Sequence, residues 1–458
     1  MAPVLSQIPS RARGSGSLRR STTERAVGCA ALNQSRPDGK GTGLMGIPRE
    51  VDVLVCGAGP AGVAAAINAA RAGARTLLIE RCGRLGGAAV VNLVGPLMGA
   101  VASPFVAEVT RRFEATGKDY GTLDLMYADM LAEAGASVLL HAWICDVIKE
   151  GPRLCGVHFL SKQGMLPIRA TVTIDATGDG DVAFLAGAAF EKGREDDGRL
   201  QPMSIMFWLG GIDKSRGLLC GSEEQAVKTH VPEGPWNEVV RRGIETGELP
   251  PNVGVIRIYE LERPGERIVN ATQINDVDGT RVEDLTRAEL EGRRQAVAVR
   301  DFLRRHAPGY ENCFISQMPE AIGVRETRRF IGLERLARED LIAGRKWDSA
   351  VVRDANFVID IHNPAGPGQA HGFAEKAKPY DIPYGCLVPL KIDGLLLAGR
   401  CISGSHEAHA SYRVQRIALA IGAAAGAAAA EAVASGVQPR DVSPAAVQKR
   451  LGLSGERL

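Results

Sequence analysis

The first clear pattern along the chain is an apolar run at 51–56, Val-Asp-Val-Leu-Val-Cys, followed by an Ala-rich stretch and a second apolar run. Short apolar runs bounded by glycine have the length of buried strands. The stretch 60–72 puts Ala66 and Ala69 on a small-residue face and stops at Gly73, the pattern of a helix pressed against a sheet. Thr76-Leu-Leu-Ile79 reads as a second buried strand, so 51–80 is predicted to be a β-α-β unit. Further strands are expected at 137–140, 171–175 and 394–397. Between about 200 and 345 the chain becomes more charged. There 285–305 reads as an amphipathic helix with Leu285, Leu290, Val297, Val299 and Leu303 as its apolar members.

This order predicts an α/β fold: a Rossmann-like nucleotide-binding domain built from both chain ends, 48–200 and 346–440, with an inserted α+β substrate domain at 201–345. Residues 1–47 are rich in Ser, Gly and Arg without any period, and are expected to be a disordered or targeting-like tail, or an extended start ahead of Met45. Residues 441–458 are expected to be a C-terminal tail. The segment 417–430 is mostly Ala and Gly and predicts a helix packed inside the protein, not a membrane span.

Charge changes the picture little. The net +2 of the 458 residues conceals an uneven split: positions 1–50 hold eight basic and three acidic residues, the remainder 47 and 50. The body therefore lacks the basic surplus that nucleic-acid binding requires. Nine scattered cysteines, with no close pair, suggest reduced thiols in a cytoplasmic protein, and no ligand cluster suggests a metal.

The candidate chemistry starts at the first turn. Gly57-Ala58-Gly59-Pro60-Ala61-Gly62 follows the first strand and opens the helix, and Glu80 ends the second strand. In a dinucleotide fingerprint the first glycine permits the tight turn, the second lets a diphosphate approach, and the third lets helix and strand touch. The helix N-terminus then attracts the diphosphate. Glu80 would accept ribose hydroxyls and repel a 2′-phosphate, which leaves FAD or NAD. Arg81 and the double glycine Gly86-Gly87 continue the fingerprint. That continuation resembles the extended motif of two-dinucleotide-domain flavoproteins and favours FAD.

Two more segments are similar to the same group. Ala176-Thr177-Gly178-Asp179 ends an apolar strand and resembles the Ala-Thr-Gly motif near the FAD adenosine; no strand ending in an acid follows it, as a second nucleotide loop would need. Leu395-Leu-Leu-Ala398-Gly399-Arg400, then 405–413 with Ser411, resembles the late FAD-contacting strand, loop and helix. Together with Gly323-Val-Arg325-Glu-Thr-Arg328-Arg329, Ile359-Asp360-Ile-His362 and Tyr380-Asp-Ile-Pro-Tyr384, these segments resemble the bacterial FAD-dependent oxidoreductases of the glutathione-reductase-like superfamily. The resemblance runs from about Val51 to Ala430 and implies a flavin enzyme acting on a small molecule, with its electron partner unspecified. The alternative is a flavoprotein-fold binding module with structural FAD.

Flavin carries the electrons, so the protein must bind, orient and move protons. The candidate acid–base groups are His362, Tyr384, His406 and His409, although the last two better suit hydrogen bonding to backbone or FAD in the flavin loop. Arg325 and Arg328 would share one face if helical and could clamp an anion, or could simply form ion pairs with Glu326, Glu334 or Glu339.

Overall fold

In a computed structural model, residues 47–370 and 374–453 are described, so the expectation of a tail at 1–47 falls almost wholly outside them. The central sheet is built around the strand Glu50–Cys56, which pairs in parallel with Thr76–Ile79 on one side and Gly164–Asp175 on the other. Ser137–Leu139 extends the sheet beyond Thr76–Ile79. The other edge of the twelve-residue strand Gly164–Asp175 is divided between two partners. Its first half forms an antiparallel hairpin with Arg153–Ser161, and its last three residues pair in parallel with Leu395–Leu397. Both chain ends thus meet in one sheet. Thr76–Ile79 and Leu395–Leu397 are buried along their length and Glu50–Cys56 from Val53 onward, which explains why they read as apolar runs.

The helix Pro60–Arg71 packs on this sheet and against the long helix Gln415–Ser435. Close packing of the two helices depends on missing side chains. A Cβ on Gly422 would lie 2.0 Å from the Ala61 carbonyl oxygen, and one on Gly426 would lie 2.2 Å from that of Ala65. Gln415–Ser435 has the length and hydropathy of a membrane span, yet 83% of its apolar window is buried inside the protein.

A second core lies in the middle of the chain. Strands Arg257–Glu260, Arg267–Asn270, Met206–Gly210 and Phe314–Gln317 form an antiparallel sheet. The helix Val282–His306 supplies Ala288, Ala296, Val299, Phe302 and Leu303 to the core on that sheet. Two apolar residues expected on that buried face do not lie there, since Leu290 and Val297 are 54% and 40% exposed. The buried stripe runs through 288, 292, 295, 296, 299, 302 and 303, and small or polar residues at four of these seven positions hid it from an apolar count.

Residues 325–328 do not form a helix; Arg328–Phe330 is a strand paired with Phe190–Lys192. Part of the presumed C-terminal tail is ordered: Pro444–Arg450 is a helix with Val447 buried, and Gln448 donates to the carbonyls of Asp348 and Ala350.

Candidate functional site

The three fingerprint glycines serve different ends. Gly57 has φ +96°, and a Cβ there would lie 2.5 Å from the Ala176 carbonyl oxygen; a Cβ on Gly62 would lie 1.7 Å from the Gly57 carbonyl oxygen. Both are closed off by backbone. Gly59 is extended (φ −66°, ψ 179°), a conformation open to any residue, and nothing lies within 4 Å of its missing Cβ. Its lack of a side chain leaves space in front of the N-terminus of Pro60–Arg71, where free N–H groups and the helix dipole favour an anion.

That space belongs to an open cleft of about 1570 Å³, counting the solvent at its mouth. The turn contributes Gly57, Gly59, Pro60 and Ala61 to its wall, and the following loop contributes Glu80, Arg81 and Gly87. Gly87 sits directly against the first turn, where a Cβ would come within 2.7 Å of the Gly59 Cα. Ala58 and Gly86 stand behind the wall, joined by the Gly86 N–H donating to the Ala58 carbonyl at 2.8 Å. Glu80 is almost wholly buried and takes the Ala58 N–H at 2.6 Å on one oxygen and the Cys82 N–H at 2.8 Å on the other. These bonds fix the carboxylate, and each oxygen keeps a lone pair for a ribose hydroxyl.

Ala176, Thr177, Gly178 and Asp179 form the next part of the wall, facing Gly399 and Arg400. Asp175, behind this turn, accepts from the Thr177 N–H and hydroxyl and from the Ala183 N–H. Burial nevertheless pushes its carboxyl up to about 6. Arg400 donates to Asp179 at 2.8 Å through Nη2, while its buried Nη1 has no protein partner. A clear space at Gly59, a helix N-terminus, a pinned acid and an unpartnered guanidinium nitrogen together fit a dinucleotide with a diphosphate and ribose hydroxyls.

The same cleft is walled by a second polar group: Ser204, Asn270, Arg325, Asp360, His362 and Arg413. Arg413 donates to the Asp360 carbonyl and carboxylate, each at 3.0 Å. His362 Nε2 lies 3.4 Å from Asp360 Oδ2. Burial, and then the Arg325 guanidinium, hold His362 far below the ordinary histidine value, outweighing Asp360. Asp360 itself is held well below the usual carboxylate range, with His362 and then Arg413 overcoming its burial. Arg325 is pushed down to about 9 by burial and by Arg413, which leaves it cationic at neutral pH.

The other candidates lie elsewhere. Tyr384 is buried, with its hydroxyl donating to the Pro439 carbonyl at 2.7 Å. His406 Nδ1 meets Glu326 at 2.9 Å, and Glu326 also holds Arg329 and the Gln201 N–H. His409 packs edge-on against Tyr412 and is buried. Ser411 bonds Tyr380 and the Phe357 carbonyl. None of these four lines the cleft. Nor does Arg328, which bonds the Asp179 carbonyl and Asp181 and lies over the Phe184 ring at 4.1 Å. The anion clamp expected from Arg325 and Arg328 therefore separates, because an extended chain turns residues three apart to opposite sides. Asp360 and Arg413 were not singled out from the sequence. The signal for Asp360 was its spacing of two from His362 on an extended segment; Arg413 carried none.

The model of a family described as FAD dependent oxidoreductase matches residues 52–451. This chain belongs to that family. The cradle around Gly59 and Glu80 suits the FAD of that family. Among curated relatives, the thiamine thiazole synthase of Aeropyrum pernix is 34% identical over 34% of this chain and 63% of its own length. The sarcosine oxidase subunit alpha of Corynebacterium sp. (strain P-1) is 35% identical over 28% of this chain and 12% of its own length. The chain thus spans less than two thirds of these relatives. The solved geranylgeranyl bacteriochlorophyll reductase-like protein of Thermoplasma acidophilum is 16% identical, covering 88% of this chain and 83% of that one, with a TM-score of 0.47.

Proposed function

We propose that this FAD-dependent oxidoreductase, of the glutathione-reductase-like superfamily, exchanges a hydride or its electrons with a small organic substrate. The supporting observation is that one cleft holds both the dinucleotide cradle and the separate set Arg325, Asp360, His362 and Arg413. When bound, FAD supplies the two-electron chemistry. The chain's residues do the rest. Glu80, Gly59 and Arg400 hold and orient the cofactor. Strands of the 201–345 segment bring Met206 and Asn270 to the cleft, making that segment the substrate side. Asp360 fixes the His362 ring, and the neutral imidazole accepts a hydrogen bond from the substrate on the nitrogen that Asp360 does not face.

Anaerobic mixing of the purified yellow protein with a panel of organic donors (alcohols, amines, hydroxy acids) tests this reading. Bleaching of the flavin by at least one donor is expected, with colour returning on admission of an acceptor. A flavin that stays oxidised with every donor, in a protein that retains its FAD, would contradict it.

A further inference from the structure

Five arginines are buried among the described residues: Arg257, Arg267, Arg325, Arg328 and Arg329. Four of them hold a carboxylate within ion-pair distance, respectively Glu223, Glu260, Asp181 and Glu326. Arg325 is the exception. Its one hydrogen bond goes from Nη1 to the Pro202 carbonyl at 2.6 Å, and it lines the cleft. The neighbouring charges do not balance it. Arg257 is matched by Glu223, and Arg413 by Asp360. His362 is neutral, because burial and Arg325 keep the proton off it. The Arg400 guanidinium on the cofactor side has Asp179.

One positive charge is therefore left over, nine-tenths buried and lining the cleft. A buried cation without a counter-ion is costly, and an incoming anion relieves that cost. The planar fork of a guanidinium suits a carboxylate, which it meets with two parallel hydrogen bonds. The wall also carries apolar side chains, among them Val94, Met206, Ile322, Val324 and Phe357. An organic body fits such a wall better than a bare inorganic ion does.

We infer that Arg325 is the anchor for the carboxylate of a monoanionic organic substrate, seated beside Asp360 and His362 in the FAD cleft. This inference rests on the reading of that cleft as the substrate site. Asp360 sets the limit on charge: with Arg413 already engaged, it repels a second carboxylate. Arg413 is a positioning residue, since its guanidinium acts through Asp360.

The test uses FAD-loaded enzyme titrated with benzoate, acetate, benzamide and inorganic sulfate, with binding read from the flavin difference spectrum and from calorimetry. Benzoate is expected to bind tenfold or more tightly than benzamide and than sulfate, with acetate between benzoate and benzamide. In Arg325→Met the benzoate affinity should fall at least tenfold while FAD content stays at the wild-type level, and Arg325→Lys should recover part of the loss. Arg328→Met, whose side chain is outside the cleft, should leave benzoate binding unchanged. Equal binding of benzoate and benzamide by wild-type enzyme overturns the inference even if no variant folds. So does loss of FAD from a folded Arg325→Met protein, which would assign the arginine to the cofactor. Donor-dependent bleaching of the flavin together with indifference to carboxylates would leave the oxidoreductase reading standing and defeat only the anchor.

Discussion

Gly59 and Glu80 show how differently two residues of one motif can be constrained. Gly59 needs neither a special backbone angle nor a close neighbour, so in the proposed reading its side chain is missing for the sake of the ligand. Gly59→Val is therefore expected to fold normally, with a melting temperature within about 2 °C of wild-type protein stripped of FAD. Its FAD affinity should drop by two orders of magnitude or more, checked by fluorescence titration. Glu80 has two tasks, since its carboxylate also receives the Ala58 and Cys82 N–H groups. Glu80→Gln should weaken FAD by roughly tenfold or more, in line with the loss of a charge-assisted hydrogen bond. His362 carries a pH signature. Its folded value lies below the unfolded 6.5, so the unfolded chain binds the extra proton. Its contribution to stability is complete above pH 6.5 and is lost as pH falls below it, by at most about 1.4 kcal/mol per unit. His362→Asn should flatten that part of the stability–pH curve, measured by urea denaturation; an unchanged slope would show that the imidazole is not held neutral.

Between elements, the contact of Pro60–Arg71 with Gln415–Ser435 ties the two chain ends together. Gly422 and Gly426, one turn apart, lie against the Ala61 and Ala65 carbonyls. Gly426→Val forces backbone apart at a point with no room to give, and is expected to cost about 3 kcal/mol or more in chemical denaturation. Gly436→Ala, just past the helix end with open space around it, should cost far less in the same assay, about 1 kcal/mol from its left-handed backbone alone. The parallel strands of the central sheet and the two helices on it were legible in the sequence because buried parallel strands and small-residue helices leave plain patterns. The antiparallel hairpin of Arg153–Ser161 with Gly164–Asp175, half exposed and mixed in polarity, was not. The helix Val282–His306 was legible in extent but not in face, because its buried stripe includes Gly292 and Gln295 and its conspicuous Leu290 points outward. The shared face of Arg325 and Arg328 depended on a helix there, and pairing of Arg328–Phe330 with a strand over 130 residues upstream decides the conformation instead.

At the scale of the whole molecule, one cleft draws on segments from the first glycine turn to the start of the last long helix. The cradle could be read because a fingerprint is local: turn, helix start and acid lie within 24 residues. The polar group around Asp360 could not, since Arg325, Asp360 and Arg413 meet only through tertiary packing, and conspicuous residues such as His406 and Tyr384 found structural partners. A ligand spanning so many segments should stabilise them together. FAD at a hundred times its dissociation constant is expected to add about 2.7 kcal/mol, or roughly 3 °C in melting temperature for a chain of this size, whereas NAD should add nothing measurable. The most direct measurement is the identity and amount of nucleotide released on denaturing wild-type and Gly59→Val protein, each first saturated with FAD and then desalted. The account predicts close to one FAD per wild-type chain, no NAD, and almost none from the folded variant. NAD in place of FAD, or a full FAD complement on Gly59→Val, would contradict it.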